Sequence, residues 1–162
     1  MPRLYIIRHA AAEERDRDRW PDDGQRPLTE KGASRFRKLM KRLAKHGVAP
    51  TLIASSPLLR CRQTAEIVQA VIASQAEVVP RDELAPGSDL DGILARSGQH
   101  DGDLAWVGHA PDVGELAADL IGGGAATLQF AKGSVAAIEF DGPPQRAAGR
   151  LLWLVQPKLI VD

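Results

Sequence analysis

Residues 4–10, Leu-Tyr-Ile-Ile-Arg-His-Ala, join an apolar run to an adjacent arginine and histidine. An apolar run containing isoleucines and an aromatic residue predicts a buried strand. Successive side chains of a strand point to opposite faces, so Arg8 and His9 can serve one site only if the strand ends there and the backbone turns. The stretch therefore predicts a site at the carboxyl edge of a strand, where open α/β sheets usually bind ligands.

The composition indicates one domain with no overall charge. The 162 residues, 44% of them hydrophobic, predict a single domain over 1–162. The 21 basic and 21 acidic residues cancel, so neither nucleic acid nor an anionic membrane is an expected partner. Without a membrane span, a signal peptide or a disulfide pair, the protein is expected in the cytoplasm, with the single Cys61 as a small helical residue.

Strand and helix patterns alternate along most of the chain. Apolar runs predict strands at 51–54, 77–79 and 104–107, and helical periodicity predicts the helices between them. The first helix spans 29–46 with Thr29 as N-cap, the second starts with Pro57 at its first position and runs to 73, a short one lies near 90–94, and another ends near 121. Segments 134–140 and 150–155 predict an antiparallel hairpin at one edge. The fold class is therefore α/β, a three-layer α/β/α sandwich with a mixed, mostly parallel central sheet.

Residues 13–26 are charged and show no apolar periodicity, which predicts a long loop. A loop of this length inside a compact domain is usually functional, so we favour a lid or binding loop over His9. A disordered surface excursion is the alternative.

Four groups follow predicted strands or begin predicted helices: Arg8, His9, Arg60 and His109. Each residue alone is weak evidence for a site, because a histidine is usually structural and an arginine usually lies on the surface. The carboxyl ends of parallel strands converge, so we expect the four groups to meet. Such groups without a carboxylate of comparable placement indicate a pocket for an oxyanion of phosphate size.

A metal site is the competing interpretation of the two histidines. Zinc requires three or four ligands, whereas the sequence has neither His-x-x-x-His nor paired cysteines. The arginines would also repel a divalent cation, so we predict no metal and no cofactor. We interpret His9 as a nucleophile that the neighbouring arginines keep neutral, and these arginines would stabilise a transferring phosphoryl group.

Four motifs resemble the histidine phosphatase superfamily. Its Arg-His-Gly signature is similar to Arg8-His9-Ala10, its Arg/Asp-x-Leu-Thr-x-x-Gly segment to residues 26–32, its Ser-Pro-x-x-Arg-x-x-Gln-Thr segment to residues 56–64, and its second histidine motif to residues 108–111. The motifs occur in the expected order. The short chain and the Arg-Pro-Leu-Thr sequence at 26–29 resemble the SixA-like phosphohistidine phosphatases of that superfamily.

The resemblance implies a phosphoglycerate-mutase-like fold and a role for each matched residue. His9 would be transiently phosphorylated, Arg8 and Arg60 would bind the phosphoryl oxygens, and His109 would complete the pocket. Arg26 of the second motif would contribute to substrate binding. The position after the serine-proline pair selects Arg60 rather than Arg62.

Two departures from the family pattern bear on backbone and substrate. Ala10 replaces the motif glycine, which implies either an ordinary φ or local strain. Relatives of the phosphoglycerate mutase type carry an acid in a Leu-x-Glu segment, whereas residues 84–87 here are Leu-Ala-Pro-Gly. Loop carboxylates could substitute as proton donors: Glu13, Asp22, Asp23 and Glu83.

The missing acid favours a phosphoramidate substrate, because an imidazole leaving group needs protonation less than an alkoxide does. The leading hypothesis is a metal-independent phosphatase acting through phosphohistidine at His9. Its substrate would be a phosphorylated protein, such as a component of a histidine phosphorelay. The alternatives are a phosphomonoesterase acting on small phosphorylated molecules and a non-catalytic phosphate-binding module.

Overall fold

The protein is described over residues 1–161 by a computed structural model. The strands are β1 (Arg3–Arg8), β2 (Leu52–Ser55), β3 (Glu77–Pro80), β4 (Leu104–Gly108), β5 (Val135–Glu139) and β6 (Arg150–Val155). The helices are α1 (Glu30–Ala44), α2 (Leu59–Ile72), α3 (Leu90–Ser97), α4 (Asp112–Gly122) and α5 (Pro157–Ile160), with short 3₁₀ turns at Asp23–Gln25 and Asp82–Leu84. No helix in this range is long and apolar enough to cross a membrane.

The strands form one mixed sheet in the order β3-β2-β4-β1-β5-β6. Parallel pairs join β3 to β2, β2 to β4 and β4 to β1, whereas β5 runs antiparallel to both β1 and β6. The predicted three-layer α/β/α architecture, with a mostly parallel sheet and an antiparallel pair at one edge, is confirmed.

Alternate residues of β1 supply the two faces of the sheet. Tyr5 and Ile7 pack with buried residues of α1 and α2, while Leu4 and Ile6 pack with those of α3 and α4. A strand with helices on both faces reads as a continuous apolar run, which is the pattern of residues 4–7.

The predicted start of the second helix is wrong. Pro57 lies before α2, which begins at Leu59. The backbone N–H of Leu58 donates to the hydroxyl of Ser56 at 3.3 Å, and this closes a turn around Pro57 before the helix starts. Sequence periodicity also missed α5, because four residues are too few to show a helical period.

The strand registers bring three chain segments to the same edge. Arg8 is paired with Gly108, and Ser55 is paired with Val107. The residues that follow β1, β2 and β4 therefore emerge side by side.

Gly32 allows α1 to pack closely against the chain that follows β1. A Cβ at this position would overlap the carbonyl oxygen of Ala11. We expect Gly32→Ala to lower the free energy of unfolding by about 2 kcal/mol, because the backbone must move apart. Urea denaturation measures this change. The helical Gly122, where a Cβ meets nothing within 4 Å, is the control. Equal stability of the Gly32→Ala and Gly122→Ala variants would contradict the packing argument.

Candidate active site

His9 and His109 face each other where β1 and β4 end. The backbone N–H of His9 donates to the carbonyl of Gly108 at 3.0 Å, which ties the two segments together. The ring centroids are 5.4 Å apart in an edge-to-face arrangement. His9 and His109 are only 7% and 5% exposed. The convergence predicted from the sequence is therefore present for both histidines.

The protonation of the His9 ring is fixed by the backbone. Its Nδ1 lies 2.7 Å from the carbonyl oxygen of Ala10. A carbonyl can only accept, so Nδ1 carries the proton and Nε2 carries the lone pair. Burial lowers the pKa of His9 to about 3, with smaller contributions from His109, Arg60 and Arg8. Burial, and not the arginines expected from the sequence, is thus the main cause of neutrality.

His109 is also neutral and is held by Ser56. Its Nε2 lies 2.8 Å from the Ser56 hydroxyl oxygen and 3.4 Å from the sulfur of Cys61. Burial lowers the pKa of His109 to about 4, and the charge of Arg60 acts in the same direction. Burial raises the pKa of the Cys61 thiol to about 12, so it stays protonated. Cys61 lies in α2, as predicted, and the structure shows that it is also buried.

Arg8 and Arg60 each have a buried Nε donor without an acceptor in the described part of the chain. Nη1 of Arg8 donates to the carbonyl of Phe130 at 2.8 Å, and Nη1 of Arg60 donates to the carbonyl of Asp23 at 3.0 Å. Within residues 1–161, the buried Nε atoms of both arginines have no hydrogen-bond partner. Burial lowers the pKa of both guanidinium groups, but arginine starts high enough to remain charged. Buried cationic donors of this kind can bind an oxyanion.

Asp23 links the loop at 13–26 to Arg60. Its carboxylate lies 3.2 Å from Nη2 of Arg60 and 2.9 Å from Nε of Arg26. Arg26 also donates to the carbonyl of Glu13 at 2.7 Å. The loop thus contacts the site through Arg60. Arg26 donates its hydrogen bonds to the loop and is connected to Arg60 through Asp23.

Two of the loop carboxylates, those of Asp23 and Glu83, are poorly suited to donate a proton. The hydrogen bond from Arg26, and then the charge of Arg60, hold the pKa of Asp23 below its ordinary value. Asp23 is therefore ionised at neutral pH. The Glu83 carboxylate is paired with Arg96 at 3.1 Å, outside the histidine pair.

Ala10 and Thr64 connect His9 to α2. The backbone N–H of Ala10 donates to the Thr64 hydroxyl at 3.1 Å, and this hydroxyl donates to the carbonyl of Arg60 at 2.7 Å. Among the described non-glycine residues, Ala147 has a positive φ, and Ala10 does not. The replacement of the motif glycine therefore produces no left-handed strain.

Ser56 and Thr64 are functional residues of the site that are not evident from the sequence. Both lie in the 56–64 motif, one directly after β2 and the other four residues after Arg60. Their positions in this motif could have indicated that they belong to the site. Their hydrogen bonds, however, form only when other strands approach.

The two buried histidines should remain neutral well below pH 6.5. NMR of the ring nitrogens should show no protonation of His9 or His109 between pH 8 and about 5, because burial disfavours the charged form. Since the unfolded chain takes up these protons first, stability should decrease as pH falls from about 6.5 toward 4. A midpoint near 6.5 for either ring would contradict the described burial.

Comparisons with known proteins agree with this geometry. The family model of the histidine phosphatase superfamily (branch 1) matches residues 4–94. An uncharacterized protein of Picosynechococcus is 42% identical over 122 residues, 70% of each chain.

Two solved structures are similar over nearly the whole chain. The protein histidine phosphatase SixA complexed with tungstate is 25% identical, covers 98% of this chain and 99% of its own, and has a TM-score of 0.84. A SixA-type protein from Nakamurella is 27% identical, covers 96% of each chain and has a TM-score of 0.78. On these matches, the chain belongs to the histidine phosphatase superfamily and is a histidine-dependent phosphatase of SixA-like structure.

Proposed function

We propose that the protein is a metal-independent phosphohistidine phosphatase whose nucleophile is Nε2 of His9. The observation that carries this proposal is the 2.7 Å contact between Nδ1 of His9 and the Ala10 carbonyl. It leaves Nε2 with a lone pair. A neutral imidazole with a free ring nitrogen is the form that attacks phosphorus.

The proposed reaction has two transfers. The Nε2 lone pair forms a bond to phosphorus while the bond to the substrate imidazole breaks, and that imidazole, protonated on its other ring nitrogen, leaves with the electron pair as a neutral group. Water then attacks the phosphoryl group on His9, the bond from Nε2 breaks, and the proton of the water passes to the released phosphate. Two steps replace one difficult displacement.

Arg8, Arg60 and His109 would stabilise the transferred group. The guanidinium groups of the two arginines would supply charged donors for the phosphoryl oxygens. If Ser56 donates to Nε2 of His109, the proton of that ring lies on Nδ1 and can be donated to a third oxygen. Tungstate is a tetrahedral oxyanion like phosphate, so its presence in the SixA structure supports an oxyanion site here.

The surroundings of the histidines favour phosphohistidine over a phosphate ester. The carboxylate that contacts Arg60 is that of Asp23, and its lowered pKa makes it a weak proton donor. An imidazole leaving group can depart without a strong proton donor, whereas an alkoxide leaving group cannot. We propose a phosphorylated protein of the cytoplasm as substrate, since the buried, unpaired Cys61 suits a reducing compartment.

The phosphoenzyme is the direct test. The wild-type protein, mixed with a ³²P-labelled phosphohistidine peptide and quenched in alkali, should carry acid-labile label, and His9→Ala should carry none. Circular dichroism should show that His9→Ala remains folded. His46→Ala, which changes an exposed histidine, is the matched control and should behave as wild type.

The substrate comparison distinguishes the alternatives. We expect the phosphohistidine peptide to be hydrolysed with a higher kcat/KM than sugar or aryl phosphates. Faster hydrolysis of a sugar phosphate would assign the protein as a small-molecule phosphomonoesterase. Failure of every donor to label His9 would indicate a phosphate-binding module.

Thr64 should act as a positioning residue for His9 through the Ala10 N–H. Thr64→Val removes the hydroxyl and leaves this buried N–H without an acceptor, which should cost about 1–3 kcal/mol of stability. Displacement of His9 should lower kcat about tenfold with a smaller change in KM. Thr64→Ser restores the hydroxyl and should recover kcat. Equal kcat values for the Val and Ser variants would contradict the positioning role.

A further inference from the structure

A cleft beside Arg8 collects four additional cationic side chains. Lys31 and Arg35 come from α1, Lys132 from the segment before β5, and Lys158 from α5. We call this group the basic cleft. It has a volume of about 500 Å³, and no Asp or Glu occurs among the described residues that line it.

The charges of the basic cleft are not balanced by ion pairs within residues 1–161. Across the chain up to residue 161, none of its four cations forms an ion pair with a carboxylate. The Nε atom of Arg35 is buried and has no hydrogen-bond partner in this range. The formal net charge of the sequence is zero, but the lining of this cleft combines these cations with no carboxylate. A concave surface with one sign of charge attracts an oppositely charged ligand.

The basic cleft adjoins the residues on either side of His9. Arg8 and Ala10, the two neighbours of His9, both line it. The first turn of α1 contributes Gly32 to the lining, and the positive end of the helix dipole adds to the field. A substrate that places its phosphoryl group at His9 therefore has room for a second anionic group a short distance away.

The side chains of the basic cleft favour the carboxylates of a protein as the ligand. Lys31, Lys132 and Lys158 are exposed, and flexible lysines act as point charges that tolerate carboxylates in varied positions. The half-buried Arg8 and the buried Arg60 suit a fixed phosphoryl group instead. Phe36 and Pro157 are buried and form the base of the cleft beneath these cations.

We propose that the basic cleft binds Asp or Glu side chains that flank the phosphohistidine of a protein substrate. This inference rests on the proposed function for the identity of the reacting group. It adds a specificity site that selects acidic phosphoproteins, through contacts separate from those of the phosphoryl group.

The test compares two phosphohistidine peptides that differ only in having Glu or Gln at the flanking positions. For a Lys31→Glu/Lys132→Glu double variant, KM for the Glu peptide should rise about tenfold, because two attractive charges become repulsive. The kcat, and KM for the Gln peptide, should change little. A Lys41→Glu/Lys45→Glu variant, with exposed lysines of the same helical region outside the cleft, should match wild type.

A binding measurement separates this inference from the proposed function. An unphosphorylated, fluorescein-labelled Glu peptide should bind wild type and the Lys41/Lys45 variant but not the Lys31/Lys132 variant. That result supports the cleft even if no phosphohistidine peptide is hydrolysed, which would refute the proposed function alone. Hydrolysis with no preference for the Glu peptide overturns the cleft alone. Stronger competition by a small sugar bisphosphate than by the Glu peptide overturns the assignment to a protein substrate.

Discussion

The parallel pairing of β4 with both β1 and β2 is the constraint on which the site depends. Its register places Arg8 opposite Gly108 and Ser55 opposite Val107. His9, His109 and Ser56 follow directly, so three segments distant in sequence meet at one edge. A slip of one residue in β1 would exchange its two buried faces, and apolar packing on both sides opposes such a slip.

Burial at this edge creates the chemistry of the histidines. Desolvation is the largest cause of the lowered pKa of both His9 and His109, and nearby positive charge adds to it. The Ala10 carbonyl then selects which nitrogen of His9 holds the proton. Hydrophobic packing, backbone geometry and charge therefore combine to produce a neutral imidazole with Nε2 free.

Two kinds of cation lie around His9, the arginines of the site and the lysines of the basic cleft. Arg8 and Arg60 are positioned by hydrogen bonds to backbone carbonyls and keep buried Nε donors. Asp23 neutralises part of the Arg60 charge from the loop. The lysines of the basic cleft are exposed and have no such partner in the described chain, so they present charge rather than fixed geometry. The first arrangement suits a reacting phosphoryl group, and the second suits a variable anionic surface.

Local patterns in the sequence determined most of the architecture. The apolar run at 4–7, the later apolar runs and the helical periodicities predicted the strands and long helices, because burial repeats with the period of each element. The hairpin-like segments at the end predicted the antiparallel edge. The predicted start of α2 is wrong because the Ser56 hydroxyl closes a turn there. Such a hydrogen bond does not change the periodicity of apolar residues.

The sequence also identified Arg8, His9, Arg60 and His109 as residues that follow strands or begin helices. Tertiary structure alone decided how they interact. It gave His9 its tautomer, gave Ala10 an ordinary φ, joined Asp23 to Arg60, and recruited Ser56 and Thr64. The physical reason is that apolar periodicity is a property of residues close together in the sequence, whereas burial and hydrogen-bond partners arise only when distant segments are brought into contact.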